Sequence, residues 1–222
     1  MSQASTFISD GYEARVSRQV PGLADLHRMS AILLDERVPK QGEVLVLGAG
    51  GGLELDALSR FEPDWRLYAI DPSRDMLDLA RSRLAETTTH IRWLEGYIDD
   101  AEAGPYDGAI CLLTLHFLPL EERIATLKAL RDRLKPDAPL VVAHHSFDQD
   151  DANKTLWLQR NAALMMSAGF DPEKAQAGID MMKRTLPTLS PEEDEAALKA
   201  AGFTGPTLFY AGFTFKGWVS YA

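Results

Sequence analysis

Residues 44–55 read VLVLGAGGGLEL: an aliphatic run, four glycines among the five positions 48–52, then the start of a helix-like pattern. Glycine has no Cβ, so it accepts positive φ and lets another molecule come within contact distance of the main chain. A strand, the turn Gly48-Ala49-Gly50-Gly51-Gly52 and a helix from near Leu53 together form the arrangement in which backbone N–H groups face a ligand at a helix N-terminus. Alone, such a loop serves equally well as a tight packing turn. The next aliphatic run, RLYAID, breaks the tie, because it ends on Asp71, 19 residues beyond Gly52. An acid at the carboxyl edge of the neighbouring strand can accept hydrogen bonds from both hydroxyls of a ribose. Its competing role, a helix cap, falls more naturally to Ser73.

Outward from this loop the pattern alternates. Aliphatic runs EVLVLG, RLYAID, IRWLEGY, DGAICLLTL and PLVVAHHSF are interleaved with helical LELDALSRF, SRDMLDLARSRLAE and LEERIATLKALRDRLK. Such alternation predicts an α/β fold with a parallel sheet covered on both faces. Upstream, residues 12–37 read as helix with a break at Pro21-Gly22, within an N-terminal helical segment spanning 1–42. Downstream, 148–189 is polar and then Met-rich, with no strand-like run, and reads as a helical insert or lid. Ser190-Pro191-Glu192-Glu193 then starts a helix, and PTLFYAGFTFKGWVSYA reads as an antiparallel hairpin turning at Ala211-Gly212.

Composition narrows the partners. The 222 residues carry a formal charge of −10 without a run of Lys or Arg, which argues against a surface built to neutralise phosphates. The lone Cys111 sits inside AICLLTL and reads as a packing residue in a reducing, cytoplasmic setting. No signal-peptide pattern and no membrane-length apolar run is visible, and no cluster has metal-ligand spacing. A single domain over 1–222 is expected, taking a small-molecule acceptor rather than nucleic acid or membrane, with a homodimer as the assembly to consider.

A dinucleotide fingerprint needs a third glycine where Leu53 stands; the spacing present is G-x-G-x-G, at Gly48, Gly50 and Gly52. That spacing resembles the first motif of class I S-adenosyl-L-methionine (SAM) methyltransferases. The resemblance implies a Rossmann-like, seven-stranded, mostly parallel sheet with helices on both faces and a C-terminal antiparallel hairpin. SRQVPGLADLHRM, LLTLHFLPLEER and LKAAGFTG further resemble the bacterial carboxy-SAM synthase branch, whose product serves tRNA wobble-uridine modification. Four positions depart from these patterns: Leu23 and Leu112 replace a tyrosine and an asparagine, Val46 replaces a common acid, and Tyr97 replaces the usual Asp; Arg184 is the nearby candidate for the insert arginine that the carboxy-SAM branch sets against the extra carboxylate. The resemblance therefore implies a SAM-dependent methyltransferase, with a carboxy-SAM synthase-like enzyme or a non-catalytic SAM-binding protein as alternatives. It implies that Gly48, Ala49 and Gly50 meet the methionine part of SAM and that Asp71 holds the ribose. Pro72 and Met76 flank the adenine, Tyr97 and Ile98 border its edge, and Leu112 and Leu113 approach the sulfonium. Arg18 is the candidate for the SAM carboxylate. On the acceptor side His116, His144 and His145 follow the fourth and fifth strands, where topology directs them to the sheet's carboxyl edge. Alternation sends the adjacent His144 and His145 to opposite faces, so only one of them is expected in a pocket.

Overall fold

The computed structural model describes residues 3–87 and 89–222. Seven strands form one sheet: β1 (Glu43–Leu47), β2 (Arg66–Asp71), β3 (His90–Glu95), β4 (Gly108–Leu112), β5 (Pro139–His145), β6 (Thr204–Gly212) and β7 (Phe215–Tyr221). Their order is β3-β2-β1-β4-β5-β7-β6, with β7 antiparallel to both neighbours and every other pairing parallel. The central strands are buried from end to end, as strands covered on both faces must be, whereas the edge strand β3 is only half-buried.

Alternation along the strands divides the core in two. Val44, Val46, Ile110, Leu112, Val141 and Ala143 point to one face, and Leu45, Leu47, Ala109, Cys111, Leu140 and Val142 to the other. The first set packs under α2 (Leu23–Asp35), α3 (Leu53–Phe61) and α4 (Arg74–Arg83); the second lies under α5 (Leu120–Arg131) and α8 (Pro191–Ala200). Burying each such aliphatic side chain stabilises the fold by roughly 1.5–3 kcal/mol, so the two faces share the load. The strand order reverses between β1 and β4, leaving a crevice beyond their carboxyl ends.

Helix α1 (Gln3–Gln19) begins nine residues earlier than the sequence pattern predicts, and Gly22, at φ 62°, makes the break before α2. The segment expected as an insert contains α6 (Asp151–Ser167) and α7 (Pro172–Thr185). The C-terminal hairpin turns two residues later than expected: Ala211 and Gly212 pair with Lys216 and Phe215, and the turn is Phe213-Thr214, with Phe213 at φ 52°. A buried hydroxyl sets that turn, since Thr214 Oγ1 donates to Asn161 Oδ1 of α6. Among the described residues no helix is long and apolar enough to cross a membrane.

Candidate active site

The loop between β1 and α3 holds Gly48, Gly50 and Gly52 at φ 75°, 47° and 78°. A Cβ on Gly48 would lie 2.0 Å from Thr114 Oγ1, and one on Gly51 would lie 2.7 Å from the Tyr12 ring. The loop's donors are largely committed within the protein: Gly48 and Ala49 N–H donate to Ile70 O at 2.8 and 3.0 Å, and Gly52 N–H donates to Ala49 O at 2.9 Å. Gly50 N–H donates to Asp71 Oδ2 at 2.9 Å, and Gly51 N–H faces the Tyr12 hydroxyl. This corrects the sequence expectation that the N–H groups face a ligand; the glycines contribute room more than donors. Ala49 is fully buried in the core.

Asp71 is 8 % exposed and ties the loop to the turn beyond β2, its Oδ1 accepting from Ser73 N–H at 2.8 Å. Two ionised carboxylate oxygens offer about four acceptor positions, so two remain for a diol. Ser73 itself caps α4 by accepting from Met76 N–H.

Three cavities run along the carboxyl edge of the sheet. The outer one, about 530 Å³, is lined by Gly48, Pro72, Tyr97, Ile98, Thr114 and Phe117, among others. A middle one of about 170 Å³ includes Gly48, Gly50, Asp71, Met76, Leu112 and Leu113. The inner one, about 360 Å³, lies between α1, the ends of β4 and β5, and the α6–α7 pair, and includes His116, His145, Met165, Met182 and Phe215. Gly48, Thr114 and Phe117 are common to the first two, and Tyr12, Val16, Leu113 and Phe117 to the last two. Leu113 sits at φ 58°, a left-handed conformation that costs a leucine about 1 kcal/mol or more, at the junction of two cavities.

The histidines separate by face. His145 and His116 line the inner cavity with ring centroids 4.9 Å apart. Thr214 Oγ1 donates to Asn161, so it accepts from His145, whose Nδ1 is 3.0 Å away; the His145 lone pair is then on Nε2. His116 Nδ1 accepts from His145 N–H at 3.4 Å, so His116 carries its proton on Nε2. The pair thus offers one acceptor and one donor. Burial, reinforced by His144, lowers His145 to about 3, and burial also holds His116 well below its ordinary range, so both rings are neutral at pH 7. His144 is taken to the opposite face, with Nε2 3.1 Å from Asp194 Oδ1 and its ring beside Trp218. Asp194 also binds the fully buried Arg123, so His144 belongs to an internal charge cluster and not to the cavity.

Arg18 is likewise not brought to the cavities. It is exposed, with Nε donating to Ala14 O and its guanidinium 4.8 Å from the Phe170 ring. Tyr97 is 66 % exposed and lines the outer cavity, while Ile98 beside it is buried. Sequence reasoning missed Tyr12, Glu54, Thr114, Phe117 and Asn161. None of these stood out locally; Asn161 follows Gln159-Arg160 in α6, so its burial shows only in the fold. Among the described residues no three His, Cys, Asp or Glu side chains gather as a metal site.

Residues 44–137 match the family described as a methyltransferase domain. A carboxy-S-adenosyl-L-methionine synthase of Klebsiella pneumoniae subsp. pneumoniae is 24 % identical over 212 residues, covering 94 % of this chain and 86 % of that protein. Among solved structures, a SAM-dependent methyltransferase from Aquifex aeolicus superposes with a TM-score of 0.60 at 20 % identity, over 86 % of this chain and 87 % of that one. Human N-acetylserotonin methyltransferase in complex with SAM gives 0.60 at 14 % identity, over 90 % of this chain; the chain spans 53 % of that larger protein. Domain match and strand order agree: residues 44–137 match a methyltransferase domain, and the chain has the fold of solved SAM-dependent methyltransferases and resembles the carboxy-SAM synthases at low identity.

Proposed function

We propose that the protein transfers a methyl group from SAM to a small, largely apolar acceptor held in the inner cavity. One observation carries this reading: the three cavities share lining residues, so the room around the glycine loop lies directly beside the cavity of the paired histidines. Pro72, Ile98 and the main chain at Tyr97 would flank the adenine, the free positions of Asp71 would take the ribose diol, and Gly48 and Gly50 leave space for the methionine end. Bound SAM supplies a methyl group on a sulfonium, open to in-line displacement.

On the acceptor side the chain's own residues exclude water and orient. Met165, Met182 and Leu186 wall the inner cavity with hydrocarbon, and α6–α7 cover it as a lid. His145 Nε2 accepts a hydrogen bond and His116 Nε2–H donates one, which fits an acceptor carrying a hydroxyl or amine beside a second polar atom. A ring whose conjugate acid has a pKa of about 3 is a weak proton acceptor. Orientation is therefore the main contribution of His145, and the acceptors best served are amines, thiolates and acidic phenols, which bring their own lone pair.

The carboxy-SAM synthase names of the relatives favour a second reading, in which the cofactor bears an extra carboxylate. Against it, no Lys or Arg lines the middle or inner cavity among the described residues, and Arg184 is exposed. Isothermal titration with SAM and S-adenosylhomocysteine, with NAD as control, tests the principal reading, and mass spectrometry of any ligand that co-purifies tests the second. Binding of both adenosyl compounds followed by methyl transfer to a panel of small aromatic amines and phenols is the expected result. NAD binding without either would reject the proposal.

A further inference from the structure

Strand β1 brings no acid to the cofactor cavities: Val46 is 1 % exposed and packed in the core. A carboxylate does arrive from the next element. Glu54, the second residue of α3, is 8 % exposed and lines the middle cavity with Gly48, Gly50, Asp71, Tyr12 and His27. Among the described residues its side chain forms no ion pair. The nearest cation, Arg83 of α4, is engaged with Glu13 Oε2 at 2.7 Å and Gly51 O at 3.0 Å. A buried carboxyl without a cation is costly, and one that lines a cavity is a candidate for a functional role.

Position says which partner. Asp71 ends β2, on one side of the glycine loop. Glu54 enters the same cavity from the start of α3, and β4, on the other side of β1, contributes Leu112 and the following Leu113 to it. With Asp71 facing the diol, Glu54 is the second carboxylate of the cavity and is left for the amino-acid end of an adenosyl ligand, toward β4. We propose that Glu54 receives the α-ammonium group of the methionine end of SAM, supplying from α3 the anchor that β1 lacks. This rests on the SAM reading above.

Burial, with a smaller push from Asp71 and against Arg83, raises Glu54 to about 8, so an ammonium partner must drive a proton off it at pH 7. The other groups facing it give up none at that pH. Tyr12 and Cys111 are raised and stay protonated, His27 is lowered by burial to about 4 and is already neutral, and Asp71 and Arg83 carry the remaining charges.

The test is calorimetric titration of wild type and Glu54→Gln with SAM, S-adenosylhomocysteine and 5′-methylthioadenosine, which lacks the amino-acid end, in buffers of different ionisation enthalpy. Glu54→Gln should lower affinity for the first two about tenfold or more, and for methylthioadenosine about twofold at most. Wild type should release close to one proton per S-adenosylhomocysteine bound at pH 7, and this readout needs no variant to fold. Unchanged S-adenosylhomocysteine binding by Glu54→Gln, equal losses for all three ligands, a loss confined to SAM, or no proton release would each overturn the proposal. Failure of wild type to bind any of the three would instead remove the SAM reading itself.

Discussion

Gly48 is the residue at which the site tolerates least change. An alanine there would have to hold φ 75° and push its methyl to 2.0 Å from Thr114 Oγ1, a hydroxyl already fixed by donating to Leu112 O at 3.0 Å. Gly48→Ala should destabilise the fold by roughly 1–3 kcal/mol in urea unfolding and weaken adenosyl binding. Adding Thr114→Ala should restore part of the loss, because it removes the Oγ1 and Cγ2 contacts but leaves the Thr114 Cβ at 2.9 Å and the φ strain. Full restoration would show that the conformation is not the constraint. The positions of Gly48 and Asp71 were legible in the sequence because they follow from local rules: a β-to-α turn needs glycine, and an acid ends the next strand. Tyr12, Thr114 and Glu54 were not, since each reaches the cavity by tertiary approach from an element whose local pattern is silent about direction. Arg18 fails for the same reason in reverse: its helix lies beside the site, but its side chain projects to solvent.

At the level of elements, α6 and α7 leave and rejoin the sheet at one place. Ser146 bridges Leu189, Phe147 N–H donates to Leu189 O at 3.1 Å, and Thr188 Oγ1 donates to Gln149 Oε1 across the neck. The helices themselves are well marked, with Asp150 capping α6 and Asp171 capping α7 just before Pro172. Their docking was not legible, because it hangs on single polar contacts such as Asn161 with Thr214 and with Met182 Sδ. Replacing 150–186 by a short Gly/Ser linker should leave S-adenosylhomocysteine affinity within about threefold, since the outer and middle cavities take no wall from these helices. Methyl transfer should be lost with the inner cavity's roof. Loss of cofactor binding in that variant would contradict the separation between cofactor and acceptor sides.

For the whole molecule, buried titratable groups of opposite sign bound the pH at which the unliganded fold is most stable. His27, His116 and His145 all titrate well below their ordinary range in the native state, chiefly through burial. Below about pH 6.5 the unfolded chain therefore binds more protons than the native one, and stability falls as pH drops through the histidine range toward 4 and below. Asp194 adds to this at the acid end, where burial raises it but His144 and Arg123 outweigh that and hold it below the usual carboxylate range; its contribution is present above the unfolded value and lost as pH falls through the folded one. Glu54 acts in the opposite direction. Raised to about 8, it keeps a proton in the native state that the unfolded chain has already lost, so stability falls as pH rises from about 4.5 to 8. From 4.5 to 6.5 three histidines outweigh one carboxyl, and from 6.5 to 8 Glu54 acts without them. Urea-unfolding free energies should therefore peak near pH 6.5 and decline toward pH 8, while Glu54→Gln should hold its plateau to about pH 8.5, above which Cys111, raised by burial to about 12, begins to contribute. Saturating S-adenosylhomocysteine should flatten the same limb in wild type by pairing the carboxylate. A decline between pH 6.5 and 8 that survives Glu54→Gln would mean that the proton is stored on another group, and the charge logic of the cavity would have to be redrawn around that group.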